Sequence, residues 1–323
     1  MLRERGSNMS EKKTIVYGLG EKFLENKDEI LRKYNVVGFS DINEEKVQMY
    51  GGVAREHLVN HIDEYDEILV CANPLLIVPD LTGNLGIPHE KVKVYIYENM
   101  FLAHNLITFY GQRNEDAILL LVVSMLGLDC ANLRYLEIGT NNPIISNNSY
   151  ALYKSGARGV LVDAVPFFVP LIEAFRSEDI FIHAAITCDD GKEKNDFYLP
   201  IMLDGSCEFP IGSLDKKWME GFKGVSDYAI IEVPSVNINV LLDRIGFQPE
   251  LLLIDIEGYD WKVIKAIDFT RHKPKIIMAE LGETNEEIRS FMTEKGYYTF
   301  TNVGKCNVIF VSQNAWDNRA KMN

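Results

Sequence analysis

The chain has 323 residues, 47% hydrophobic and 25% charged, the balance of a folded globular protein with room for two domains. Its net charge of −14, with no basic stripe beyond a solvated turn at Arg271-His272-Lys273 and Lys275, argues against nucleic acid and for a small or sugar-like partner. No apolar run reaches the length of a membrane span, and five scattered cysteines without a CxxC pair read as free thiols in a reducing, cytoplasmic setting, not as a zinc site or a disulfide framework.

Residues 1–12 are polar and charged and are expected to be a leader or expression tag, with Met9 a natural start. Residues 13–97 then alternate strand and helix. "KTIVY" is β-rich, Gly18-Leu19-Gly20 turns into a helix reaching about Tyr34, and "NVVGFSDIN", "EILVCAN" and "KVKVYIY" supply three more strands. Short apolar runs between helices predict parallel strands buried on both faces, a small Rossmann-like domain. Phe23 stands where a third glycine would fall, and Asp41 closes the second strand. A lone GxG is weak evidence of a nucleotide site. The domain is therefore expected to bind a nucleotide, to hold an acceptor, or to serve assembly, including a homo-oligomer.

Residues 98–132 read as a helical bridge. Its helix runs through "EDAILLLVVSMLG", with Asn114 as the expected cap and Glu115 and Asp116 favourable in the first turn. Residues 133–323 carry a fuller alternation, with strands "RYLEIG", "GVLVDAV", "IFIHAAIT", "LLLIDIE" and "KIIMAEL". "KNDFYLPI" and "YAIIEVP" are further extended segments. "GYYTFTNVGKCNVIFVS" reads as two antiparallel strands about a tight turn. The expected fold class is thus α/β: a Rossmann-like sheet closed by an antiparallel hairpin, as in class I methyltransferases, preceded by a smaller Rossmann-like domain.

In an open α/β sheet, ligands bind beyond the carboxyl ends of the strands. Glu137 and Gly139 lie at one such end and Asp163 at the next. The offset is close to the roughly 20 residues that separate a glycine turn from a ribose-binding acid. A carboxylate at Asp163 suits a ribose diol, Gly139 lets backbone approach a ligand, and Glu137 suits a positively charged group such as an amino-acid ammonium. "EIGTNNP" is not GxGxxG: Asn141, Asn142 and Pro143 stand where a pyrophosphate would need bare backbone. The pattern points to a nucleoside ligand without pyrophosphate, as S-adenosylmethionine is.

Several motifs then fall in order. Gln112-x-x-Glu115-Asp116 opens a helix, and Glu137-x-Gly139-Thr140-Asn141 ends a strand. Ser146-Asn147-Asn148 precedes Tyr153-x-x-Gly156-x-x-Gly159, and Ile254-Asp255-Ile256-Glu257-Gly258 closes the series. Together they resemble the FkbM family of S-adenosylmethionine-dependent methyltransferases, over roughly Tyr110 to Ser312. The resemblance implies S-adenosyl-L-methionine as cofactor, with Glu137, Gly139, Thr140, Asn141, Asp163 and Ala164 around it. Asp163-Ala164 departs from the Glu-Pro or Glu-Ala of many members, although a shorter acid still reaches a ribose. Thr187 to Asp189 would frame the adenine.

The chemistry is expected beyond "LLLIDIEGYD". Residues two apart on a strand share a face, so Asp255 and Glu257 are expected to enter one cleft, joined by Glu280 at the end of "IIMAEL". They would serve as a base for a hydroxyl acceptor or as oxygen ligands for Mg²⁺ or another divalent cation; a metal is not fixed by the sequence. The bland alternative for Glu257 is a helix cap or a pair with Lys262. His183 and His272 are the other candidate bases, and each reads equally as a satisfied structural histidine. Trp218 and Tyr228, in Gly-rich loop segments, are candidates to stack on a sugar ring.

The expected activity is therefore O-methyl transfer to a hydroxyl of a sugar, glycan precursor or related small molecule, the sugar resting on the family resemblance alone. Two alternatives remain. One is an NAD-dependent sugar-nucleotide oxidoreductase, which would want a complete GxGxxG and a catalytic Tyr-x-x-x-Lys. The other is a non-catalytic nucleotide-binding scaffold, which would not need all five of Glu137, Gly139, Asp163, Asp255 and Glu257.

Overall fold

The computed structural model describes residues 10–95, 109–189, 192–203, 211–221, 224–282 and 284–319. Residues 1–9 of the expected leader, 98–108 of the expected bridge, and the end of "KVKVYIY" lie outside them. The chain divides into two compact units, Met1–Leu106 with Pro166–Phe175, and Ile107–Val165 with Arg176–Asn323. Among the described residues no helix is long and apolar enough to cross a membrane.

The first unit is a four-stranded parallel sheet built from β1 (Lys13–Tyr17), β2 (Asn35–Ser40), β3 (Glu67–Val70) and β4 (Val92–Val94), in the order β2-β1-β3-β4. Helix Glu21–Lys33 follows β1 and lays Phe23 and Ile30 on Val16 and Leu69. At Gly18, φ is +93° and an added Cβ would lie 2.6 Å from the Ala72 Cβ, so the turn after β1 needs glycine. Asp41 is bonded to the fold through both oxygens. One oxygen accepts Leu19 N–H at 2.6 Å and the other Asn43 N–H at 2.8 Å, so the acid braces the glycine turn. Helix Val169–Phe175 belongs to this unit. It packs on helix Pro74–Pro79 and on β4, and Lys93 Nζ meets Glu173 at 2.8 Å.

The second unit holds β5 (Arg134–Ile138), β6 (Arg158–Asp163), β7 (Ile180–His183), β8 (Ala185–Thr187), β9 (Lys194–Met202) and β10 (Val225–Asn237). It continues with β11 (Leu251–Ile254), β12 (Ile276–Glu280), β13 (Tyr297–Val303) and β14 (Asn307–Ser312). Seven of them form one mixed sheet in the order β13-β14-β12-β11-β5-β6-β7, all parallel except β14, which runs antiparallel to both neighbours. This is the α/β sheet closed by an antiparallel hairpin that the sequence predicts. Its apolar strands are buried on both faces, as parallel strands must be.

Two expectations are corrected. "IFIHAAIT" is not one strand: β7 lies in the large sheet, while β8 pairs with β10 in a separate three-stranded sheet, β8-β10-β9. Asn114 does not cap helix Glu115–Met125, because it sits at φ 64° and its side chain makes no cap bond. The two acids turn back instead. Glu115 accepts Arg113 N–H and Asp116 accepts Tyr110 N–H, each at 2.6 Å, which satisfies the loop that enters the helix.

Candidate functional site

The carboxyl ends of β5, β6, β11 and β12 meet at one edge of the large sheet, and the candidate residues collect there. Gly139 leaves β5 at φ +85°, and an added Cβ would overlap the Asp255 carbonyl oxygen, so backbone passes backbone with nothing between. Gly139 N–H and Thr140 N–H both donate to Val162 O, at 2.8 and 3.2 Å, and Thr140 is buried. Asn141 turns left-handed at φ 53° and gives its N–H to Asp163 at 2.6 Å. The other Asp163 oxygen accepts Val165 N–H at 2.7 Å. Burial raises the Asp163 carboxyl above its ordinary range, and the two backbone donors oppose that rise. Asp163 thus braces the turn; a carboxylate offers about four acceptor sites, so it keeps capacity for a ligand hydroxyl. Ala164 is buried, and its carbonyl oxygen lies 3.0 Å from His183 Nε2. That contact makes His183 a tied strand residue, not an open base.

Glu137, on β5, is buried on a polar network that the sequence did not reveal. Its Oε2 accepts Ser149 Oγ–H at 2.8 Å and Asn147 Nδ2–H at 3.3 Å. Arg176, 1% exposed, donates to Ser149 Oγ at 2.7 Å, Tyr135 Oη at 2.8 Å, Asn147 Oδ1 at 3.1 Å and Asp179 at 2.9 Å. Burial pushes the Glu137 carboxyl up, and the Arg176 guanidinium pulls it back. No donor among the described residues reaches the other oxygen, Oε1.

Asp255, Glu257 and Glu280 come together as expected, with one oxygen from each lying within 4.8 Å of the others. The route differs from strand alternation. β11 ends at Ile254, before either acid, so no shared strand face aligns them. Glu257 instead adopts φ 54° and Gly258 φ +84°, and these two left-handed residues swing the carboxylate back towards Asp255. A non-glycine residue in this region is held by its surroundings. Here Ser213 Oγ–H donates to Glu257 O at 2.7 Å, and the Trp218 indole lies where a Gly258 Cβ would be. Glu257 neither caps the next helix, whose N-cap is Tyr259, nor pairs with Lys262, which meets Asp215 at 2.6 Å.

Asp260 is a fourth acid that sequence reasoning missed. It is 1% exposed; one oxygen accepts Ile256 N–H at 3.3 Å, and the other makes no hydrogen bond of good geometry, although the backbone N–H groups of Asp260 and Glu280 lie close enough to lower its pKa. Burial, then mutual repulsion, raises the whole group. Asp255 stands well above its ordinary value, first from burial and then from Glu280, Asp260, Glu257 and Glu137. Glu257 and Asp260 are each pushed up to about 8, and Glu280 is raised by burial against the pull of Arg113.

Of the remaining candidates, Thr187 is buried with Oγ1 bonded to Asp189 O at 3.2 Å, and Asp190 and Gly191 lie outside the described residues. His272 is buried just before the start of β12, the opposite end from Glu280, and faces Asp243 at 3.1 Å. Tyr228 stands edge-on to Tyr198 with Lys216 Nζ 5.4 Å above its ring, while Trp218 alone of the two touches the Glu257 turn.

Residues 137–298 match the family described as "Methyltransferase FkbM domain". No curated protein matches the chain. Among solved structures, a Pyrococcus horikoshii protein provisionally described as an RNA methyltransferase is 12% identical, with 62% of this chain and 83% of that one covered and a TM-score of 0.34. The precorrin-6y C5,15-methyltransferase of Geobacter metallireducens is 12% identical, covering 60% and 87% with a TM-score of 0.30. The METTL16 methyltransferase domain is 11% identical, covering 61% and 66% with a TM-score of 0.34.

Proposed function

The chain belongs to the FkbM methyltransferase family, and from that premise we propose that it methylates a hydroxyl oxygen of a small, sugar-like acceptor. Membership implies S-adenosylmethionine, which when bound supplies a methyl group on a sulfonium that leaves with its bonding pair as the methyl departs. The residues at the edge of β5 and β6 fit such a donor. The Gly139 turn brings the ends of β5 and β11 together, Glu137 Oε1 would suit a cationic group, and Asp163 keeps lone pairs for a ribose. Thr140, Asn141 and Ala164 shape the same wall.

The observation that carries the reading is the cluster of Asp255, Glu257 and Glu280 beyond the β11 and β12 ends, adjoining the Gly139 turn through the Asp255 backbone. A hydroxyl is a poor nucleophile until its proton moves. A carboxylate titrating near 8 is a stronger base than an ordinary one and remains partly ionised at neutral pH. The acceptor hydroxyl would lie against this cluster and give it the proton as the oxygen takes the methyl; alignment of the two supplies a large share of the rate. Trp218, packed on Gly258, would stack on a sugar face. The net charge of −14 disfavours a polyanionic acceptor. The first unit is read as serving acceptor recognition or assembly.

The test is methyl transfer from isotope-labelled S-adenosylmethionine to a panel of sugars, sugar nucleotides and polyketide alcohols, with mass spectrometry to place the label. A methyl on oxygen, lost in Asp255→Asn while S-adenosylhomocysteine still binds, supports the reading. Label on nitrogen or carbon, or full turnover in Asp255→Asn, overturns it.

A further inference from the structure

The acid cluster is poorly balanced as it stands. Four carboxyl groups, Asp255, Glu257, Glu280 and Asp260, converge on one strand edge. Of the nearby cations, Lys262 holds Asp215, and Arg113, whose guanidinium donates to the Gly304 carbonyl, offsets only part of the charge through its pull on Glu280. Asp255, Glu257 and Glu280 are half-buried and Asp260 is buried, and carboxylates crowded in this way repel one another and lose part of their hydration.

Two buried oxygens on neighbouring elements make no hydrogen bond of good geometry. Asp260 Oδ2 is buried without a hydrogen-bond partner, on a carboxylate held against the 255–257 turn through Ile256 N–H. Asn307, 4% exposed, donates from Nδ2 to Glu115 at 3.1 Å, yet its Oδ1 is buried without a partner. Asn307 sits directly opposite Glu280 in the β12–β14 ladder. Directly opposed residues project to one face of a sheet with Cβ atoms about 5 Å apart, so the Asn307 side chain shares the face of the Glu280 carboxylate. Buried polar atoms in a folded protein are almost always paired, and two acceptors lacking donors beside a knot of acids call for a cation.

We propose that Asp255, Glu257 and Glu280 bind one hard divalent cation, Mg²⁺ or Mn²⁺, with Asn307 Oδ1, on the face of Glu280, as a further oxygen donor. Oxygen donors without sulfur or imidazole select such ions over zinc. The left-handed Glu257-Gly258 turn, held by Ser213 and Trp218, is the device that brings the second carboxylate into the set. The cation's purpose, acidifying an acceptor hydroxyl in place of the free carboxylate base, rests on the O-methyl-transfer reading above; its binding does not.

The test uses the full chain with no donor or acceptor. Chelator-stripped protein is titrated with Mn²⁺, followed by calorimetry and by the loss of free Mn²⁺ signal in electron paramagnetic resonance. One Mn²⁺ per chain is expected, weakened at least tenfold in Asp255→Asn and in Glu280→Gln and several-fold in Asn307→Leu, with unchanged circular dichroism. For the wild type, Mg²⁺ should raise the melting temperature and a chelator should reverse it, a readout independent of how the variants fold. No Mn²⁺ binding at millimolar concentration, or equal binding by wild type, Asp255→Asn and Glu280→Gln, overturns the proposal. Mn²⁺ binding without methyl transfer to any hydroxyl sustains the cation and removes the reaction; methyl transfer without Mn²⁺ binding does the reverse.

Discussion

The carboxylate of Asp163 accepts the backbone N–H of Asn141 at 2.6 Å, across 22 residues of chain. Asp41 accepts Leu19 N–H at 2.6 Å across the same 22 residues, and each acid uses its second oxygen for the N–H two residues further on. The two units therefore share one device: an acid at the end of the second strand ties down the turn that leaves the first. In both, the acid is already bonded to the fold, and any ligand contact comes in addition.

Asp163→Ala should thus cost more than a ribose contact. Two charge-assisted bonds are lost, and the 139–141 turn loses its brace. The unfolding free energy is expected to fall by about 3–6 kcal/mol, on about 1.5–3 per bond to a charged group. Affinity for S-adenosylhomocysteine should fall at least tenfold. Urea denaturation and calorimetry on the same preparations check both. An intact affinity would take Asp163 out of the donor site.

Gly258→Ala should disable the acid cluster from outside it. The new methyl meets the Trp218 indole, and the φ of +84° is unfavourable to any side chain. A large loss of turnover with donor affinity near wild type is expected. Gly258→Ala with Trp218→Ala should recover part of the stability lost in Gly258→Ala, because the two residues touch and their effects do not add. Strict additivity in the double-mutant cycle would show that the indole does not constrain this turn.

Stability should decline with pH in cation-free buffer. Glu257 is raised from an ordinary value near 4.5 to about 8, so the folded chain holds a proton there that the unfolded chain releases. Stability from that proton is complete below about pH 4.5 and is lost as pH rises through about 8. Asp260, also at about 8, acts in the same direction, and the acids titrate as a set. Urea midpoints at pH 6 and pH 9 should differ, the later one lower, and Glu257→Gln should flatten the slope. Equal midpoints in the wild type would mean that the group is not raised.

Deleting residues 1–97 should expose apolar surface without destroying the donor site. Phe168, Val169, Leu171 and Ile172 are buried and belong to the first unit. Without β4 and helix Pro74–Pro79 they have nothing to pack on, and the truncated chain should bind anilinonaphthalene sulfonate strongly. Its affinity for S-adenosylhomocysteine should stay within about tenfold, about 1.4 kcal/mol, of the full chain. A folded truncation that binds no donor would show that the site needs the first unit.

The sequence was legible where local chemistry decides structure. Apolar runs marked the parallel strands, and the ordered motifs marked the edge where Glu137, Gly139, Asp163, Asp255 and Glu280 meet. It was opaque where distant registers decide. Asn307 reads as a hairpin residue until the β12–β14 ladder sets it against Glu280. Arg176, in "AFRSED", reads as a charged helix end, yet it is the buried centre of the Glu137 network. "PFFVPLIEAF" declares a buried helix without saying which sheet buries it. Glu257 reached its place by a left-handed turn that only a following glycine hinted at.

That segment, Pro166–Phe175, sets an order of events during synthesis. A ribosome adds about 5–20 residues per second, so β4 waits several seconds for the last piece of its own unit to be made. In that interval β5 and β6 emerge, and the apolar surface of the first unit stays uncovered. The first half of this protein is thus finished only when its second half is well begun, and a chain arrested between β4 and Pro166 would hold a unit open to chaperones.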